Sequence, residues 1–245
     1  MNVDLPIQET VAFAREHYQD KASVYEKTLL DHSLSVARMA EKIAIKLYSD
    51  VRKDLISDET QESVAVIVHS AVLHDLINVS RCAFEQIAER TTVQVAATVA
   101  DLSRDFRLVE TKRDMEYRGR LSQSGVKAQI VATADIICTT MEVLKMLKGE
   151  GVTAVPRARK ILMQLDGDLL AITAASRFYQ LRLYTHAARN HLHDASQLIK
   201  ECKAEARAAR QFASTSARIA AKRSAEEKPA KEKPSAKKRT RRRDP

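Results

Sequence analysis

The chain contains no tryptophan, five glycines and five prolines in 245 residues, and aromatic residues make up only 4% of it. With so little turn punctuation, a fold of many short strands joined by tight turns is disfavoured. The abundance of Ala, Leu, Glu, Lys, Arg and Gln makes all-α the expected class. The three cysteines, Cys82, Cys138 and Cys202, are odd in number and widely spaced. They form neither a disulfide framework nor a zinc cluster, and read as reduced thiols. No apolar run approaches the roughly 20 residues that span a bilayer. No basic segment leads into an apolar one near Met1. A cytoplasmic protein without a membrane partner is therefore expected.

Charge is present but unevenly placed. The formal net charge is +9, and the stretch from Arg218 to Pro245 holds 12 Lys/Arg against 4 Asp/Glu, a net of +8. Everything before it carries +1, so the body is close to neutral. The run Lys237 to Arg243 could contact nucleic acid or a ribosome through phosphates, without sequence preference, because it has no aromatic residue to stack on bases. The competing reading is a solubilising end, and residues 222–245 are expected to be disordered.

Apolar spacing predicts helices over Pro6 to Tyr18, Thr28 to Tyr48, Ser63 to Ile77, Ala83 to Arg90, Thr92 to Ser103 and Val126 to Leu147. Residues Arg104 to Arg120 are charge-dense and aperiodic, and read as a surface loop. Gly149, Gly151 and Pro156 end the Val126 helix. A short helix to Leu165 and a long one from Leu169 to about Ala221 should follow, the latter exposed or partner-bound after Ile199. Self-association through that helix is open.

The helix from Ser63 is apolar on nearly every side, yet ends in His74-Asp75. Unpaired polar groups there are costly, and a cation would satisfy both, since imidazole and carboxylate suit a first-row divalent metal. His32 opens one neighbouring helix and Asp135 interrupts another. Alone, each is more often a hydrogen-bonded core residue than a ligand. The sequence holds its own control: His193-Asp194 is a second His-Asp pair on a polar stretch, where a solvated helix face is the better account. His17 and His69 likewise read as structural or surface residues.

The ordered set His32, His74-Asp75, Asp135 resembles the HD phosphohydrolase superfamily. Its context narrows the likeness to the RelA/SpoT-type HD domain, which includes small stand-alone (p)ppGpp hydrolases. Ala14 to Gln19, His32 to Ala37, Ser70 to Asp75 and Ala132 to Asp135 follow the family's motifs in order, over roughly Val11 to Leu147. The resemblance implies a helical HD bundle over 1–148, a further helical region over 149–221 and the basic tail over 222–245. It implies a divalent metal, Mn²⁺ for preference, held by His32, His74, Asp75 and Asp135. A nucleotide would be the substrate, with Lys112 and Arg113 falling in the family's basic, substrate-binding loop.

The chain departs from the family where catalysis is assisted. The HDxxED acids are Asn78 and Val79 here, and Asn orients a water but takes no proton from it. Loss of general acid–base help typically costs about 10²–10⁴-fold. Ser33 replaces a proline, and the early basic residues are reduced to Lys21. Glu85 and Asp101 are candidate substitute bases that no motif positions. Two expectations follow: a metal-dependent nucleotide (pyro)phosphohydrolase in which Asn78 keeps a weakened catalytic role, or a catalytically degenerate domain that binds nucleotides or a protein partner. A third, weaker reading is a nucleic-acid-associated protein dominated by its tail.

Overall fold

A computed structural model describes residues 6–19, 21–25, 27–51, 58–176 and 179–226. Helices dominate, and the one β-type pairing among the described residues is a single bridge between Ala22 and Thr28. The elements are α1 (Ile7–Tyr18), α2 (Leu29–Val51), α3 (Asp58–Leu73), α4 (Leu76–Ser80), α5 (Phe84–Arg90), α6 (Val93–Leu102), α7 (Glu110–Gln123), α8 (Val126–Glu150), α9 (Val155–Ala175) and α10 (Tyr179–Glu226). The fold is all-α, as expected from the composition.

Helix α3 is the hub, packed against α1, α2, α6 and α8. Its Val66, Ile67, Ala71, Val72 and Leu73 are fully buried, which explains its nearly continuous apolar sequence. An 18-residue window of Asp58–Ser80 has mean hydropathy 1.4, so by length and composition this stretch could cross a membrane. That corrects the expectation that no run is long enough. Its surroundings account for its composition, because its second half is enclosed by the other helices.

Two further expectations are corrected. The charge-dense stretch read as a loop over Arg104 to Arg120 contains α7. Its buried stripe is only Tyr117 and Leu121, an i, i+4 pair too narrow to register as periodicity. The predicted break between Leu165 and Leu169 is absent, because α9 runs through Gly167 and ends at Ser176, where ψ turns to 119°. Helix α9 packs on α7 and α8, and residues 1–202 form one compact unit. Within that unit α10 buries Leu181, Thr185, Ala188, Leu192, Ala195, Ile199 and Cys202. Their alternating spacing of four and three is a coiled-coil-like seam.

The second unit begins at Lys203. Its described residues are the rest of α10, whose Phe212 and Ile219 side chains are exposed. Residues 222–226, expected to be disordered, are the last helical ones. The remainder of the predicted tail, 227–245, lies outside the described residues.

Candidate metal centre

The chain turns sharply where α3 stops. Leu73 is the last helical residue, and Asp75 sits at φ −96°, ψ 0° before α4 begins, a sparsely populated region that often holds site residues. This turn points His74 and Asp75 toward the facing helices α2 and α8. His32 Nε2 lies 3.1 Å from Asp135 Oδ1, and His74 Nε2 lies 3.9 Å from the same oxygen and 3.4 Å from Asp75 Oδ2. Ligand atoms of His32, His74 and Asp135 all fall within 4.8 Å of one another. The two imidazole centroids are 5.5 Å apart. Three of the four residues singled out from sequence thus come together from three different stretches of the chain, and Asp75 stands beside them against His74.

The protonation pattern of His74 tests whether a cation fits. Its Nδ1–H donates to the Ala71 carbonyl at 2.8 Å, which leaves the Nε2 lone pair outward. Nε2 is buried without a hydrogen-bond partner and faces carboxylate oxygens, which also only accept. A cation turns that set of mutually repelling acceptors into a ligand sphere, and two imidazoles with carboxylates are suitable donors for a divalent first-row ion. The residues present fit the group.

Glu142, which sequence reasoning missed, completes the arrangement. It is buried on α8, and its Oε1 lies 3.0 Å from His32 Nδ1 while Ser23 Oγ–H donates to its Oε2 at 2.8 Å. This partner fixes the ring so that Nε2 faces the centre, as outer-shell carboxylates do at metal sites. The signal was available: Asp135, Thr139 and Glu142 are a polar stripe at i, i+4 and i+7 on an otherwise apolar helix. Thr139 Oγ1–H donates to Asp135 at 2.9 Å.

The charges sharpen this picture. Burial works against a charge on His32, but its bonds to Asp135 and Glu142 override burial and push its pKa up to about 10. Burial likewise opposes the charge on Asp135, and the hydrogen bonds it accepts from His32 and Thr139, with the charge on His32, nevertheless hold its carboxyl well below the usual carboxylate range. Glu142 is lowered by the same balance, with burial opposed by His32, Ser23 and Lys27. Beside these groups, Cys138 is an inert thiol, its pKa pushed up to about 12 chiefly by burial.

The centre opens into a cavity of about 370 Å³, toward the small end of ligand pockets. Asn78 lies on its wall and is used at both ends. Its Nδ2 donates to Asp75 Oδ1 at 3.2 Å, and its Oδ1 accepts the backbone N–H of Arg104 at 2.9 Å. Arg104 bonds Asp114 at 2.9 Å and Asp168 at 2.5 Å, with its guanidinium 3.9 Å from the Tyr117 ring centroid. A chain of contacts therefore runs from Asp168 on α9 through Arg104 and Asn78 to Asp75. Gly167 leaves room for it, because a Cβ there would strike the Arg118 guanidinium, which bonds Asp168 at 3.1 Å.

Other predicted residues lie elsewhere. Lys112 and Arg113 are on α7 and do not line this cavity; Lys112 is exposed, and Arg113 sits 4.8 Å from the Phe106 ring centroid. The cations on the wall are Arg104 and Arg157, from segments that the family motifs did not cover or that read as loop. Glu85 is exposed, and Asp101 lines a separate hollow with Glu116 and Arg120. His69 bonds Thr10 at 2.7 Å, His17 packs edge-on against Phe13, and the His193-Asp194 pair is exposed.

No family model matches the chain, and no curated protein matches it by sequence. Among solved structures it is similar to one described as a metazoan ortholog of SpoT that hydrolyzes ppGpp and plays a role in starvation responses. The TM-score is 0.53 at 14% identity, over 74% of this chain and 92% of that one. The likeness is one of fold: this chain shares the all-α architecture of that protein.

Proposed function

We propose that the protein is a metal-dependent phosphohydrolase of the HD type acting on a nucleotide, with His32, His74, Asp75 and Asp135 holding a divalent ion, Mn²⁺ for preference. The observation that carries this reading is the bare, buried Nε2 of His74 facing carboxylate oxygens. The fold neighbour is described as hydrolysing ppGpp, and a 3′-pyrophosphate is the reaction to try first. When bound, the ion supplies Lewis acidity at a phosphoryl oxygen and acidifies a coordinated water. The chain's own residues orient the site: Glu142 sets the His32 ring, and Asn78 steers Asp75.

A second reading, a nucleotide-binding domain without turnover, is favoured by the fate of the two missing acids. Both ends of the Asn78 amide are engaged by Asp75 and Arg104, and the Val79 carbonyl accepts from Lys21 Nζ at 2.9 Å. The remaining carboxylate on the wall, Asp168, is tied to two guanidiniums. No lining carboxylate among the described residues is left over to act as a base.

Elemental analysis of the purified protein, with phosphate and pyrophosphate release from a nucleotide panel, tests both readings. His74→Ala should lose metal and any turnover together. Turnover gained by the double variant Asn78→Glu, Val79→Asp would identify an intact but disarmed site. Absence of metal in the wild-type chain, after saturation with Mn²⁺, would overturn both.

A further inference from the structure

Most of the basic side chains described on and beyond the cavity wall are bound to the protein itself, and of those so bound only Arg104 lines the cavity. Arg104 is held by Asp114 and Asp168, and Arg118 by Asp168 and the Gln164 carbonyl. Arg120 donates to the Ala100 and Ser103 carbonyls and to Glu116. Lys21 donates to the carbonyls of His17 and Val79, and Lys27 reaches Ser35 and Glu142. Arg157, at the start of α9, is the exception. It lines the cavity, is exposed, contacts only the Val24 carbonyl, and pairs with no carboxylate among the described residues.

The cavity wall itself carries three carboxylates, Asp75, Asp135 and Asp168, against two guanidiniums. Protonated His32 balances the remaining negative charge in the metal-free protein, and a divalent ion that displaces its proton would leave the wall with a single net positive charge. Charges that enter a partly enclosed site without partners are costly. One phosphate monoester carries about −1.5 to −2 near neutral pH, which the ion and Arg157 together can meet. A nucleotide bearing two diphosphates brings several further negative charges, and the cations that would receive them are already engaged. Between these charged groups the wall mixes polar side chains such as Ser23 and Thr139 with apolar ones, of which Leu29, Leu102, Val131, Ile136, Ile161 and Leu165 offer contact for an uncharged body.

We infer that the site is built for a ligand with one phosphate group, a nucleoside monophosphate or similar monoester, whose phosphate is shared between the metal and Arg157. This rests on the metal-centre reading above and narrows its substrate class away from multiply phosphorylated nucleotides.

The test is calorimetric titration of the Mn²⁺-loaded full chain with guanosine 5′-monophosphate, diphosphate and triphosphate, and with guanosine carrying a diphosphate at both the 3′ and 5′ positions. The monophosphate should bind at least as tightly as any other member. Arg157→Gln should weaken it about tenfold or more, while Arg157→Lys, which keeps the charge, should recover part of that loss. Affinity that climbs with each added phosphate overturns the inference and leaves the metal-centre reading standing. So does an Arg157→Gln variant that binds the monophosphate like wild type, or a metal-loaded protein that binds no member of the series. A chain that takes up no Mn²⁺ fails earlier, at the metal centre, and overturns both.

Discussion

Glu142 stands two turns along α8 from Asp135, and its carboxylate is the reason His32 presents Nε2 to the centre. Removing its charge while keeping its shape, as in Glu142→Gln, should lower Mn²⁺ affinity by about 10–100-fold, read by calorimetry, and should also lower the melting temperature, because buried His32 loses a charged partner. The same contact gives metal uptake a pH dependence whose sign can be worked out. In the metal-free protein His32 is raised to about 10, so its proton stabilises the fold fully below the ordinary histidine range. That contribution is lost as pH rises through the shifted value. An ion binding at Nε2 must displace this proton, and apparent affinity should therefore climb about tenfold per pH unit between about pH 6.5 and 8.5. Affinity that is flat over that range would contradict the role given to His32. His32, His74, Asp75 and Asp135 were legible in the sequence because each interrupts an apolar helix with a group that burial penalises. Glu142 carried the same mark, but only its spacing from Asp135 distinguished it from a surface acid.

At the scale of elements, α7 and α9 are where sequence and structure part. Periodicity reports a broad apolar face, and α7 has a narrow one, its charged residues being held by ion pairs across to α9. Those pairs depend on chain-distant partners that local sequence does not register: Arg118 and Asp168 are 50 positions apart. Helix α9 lies beyond the stretch that resembles the HD family, yet it supplies Arg157 and Asp168 to the cavity wall. Asp168→Ala leaves two guanidiniums without their buried carboxylate and should cost about 3 kcal/mol in urea unfolding. Because Arg104 carries the backbone N–H that holds Asn78, and Asn78 holds Asp75, the same variant should also weaken Mn²⁺ binding. Asn78→Ala, which breaks only the last link, should weaken Mn²⁺ binding while losing less stability. A loss of stability in Asp168→Ala with metal affinity unchanged would show that α9 braces the fold without steering the ligand.

The whole molecule divides its charge from its fold. Residues 1–202 close one compact unit, and beyond Cys202 the side chains of α10 that the structure describes are exposed but for partly buried Lys203 and Ala206. A chain cut before Gln211 keeps two further turns of α10 to protect the end of the buried seam. The cut removes the +8 of the Arg218 to Pro245 stretch and no other charge, leaving +1. Such a chain should melt within about 4 °C of the full protein, a change of no more than roughly 1 kcal/mol, and bind the same amount of Mn²⁺. Its behaviour toward polyanions should change sharply, because retention on a phosphate or heparin matrix follows clustered Lys and Arg, and weakens as salt rises. If the shortened chain is still retained at the salt that elutes the full one, the basic surface belongs to the helical body. The near-neutral charge before Arg218 would then conceal a patch that composition alone averages away.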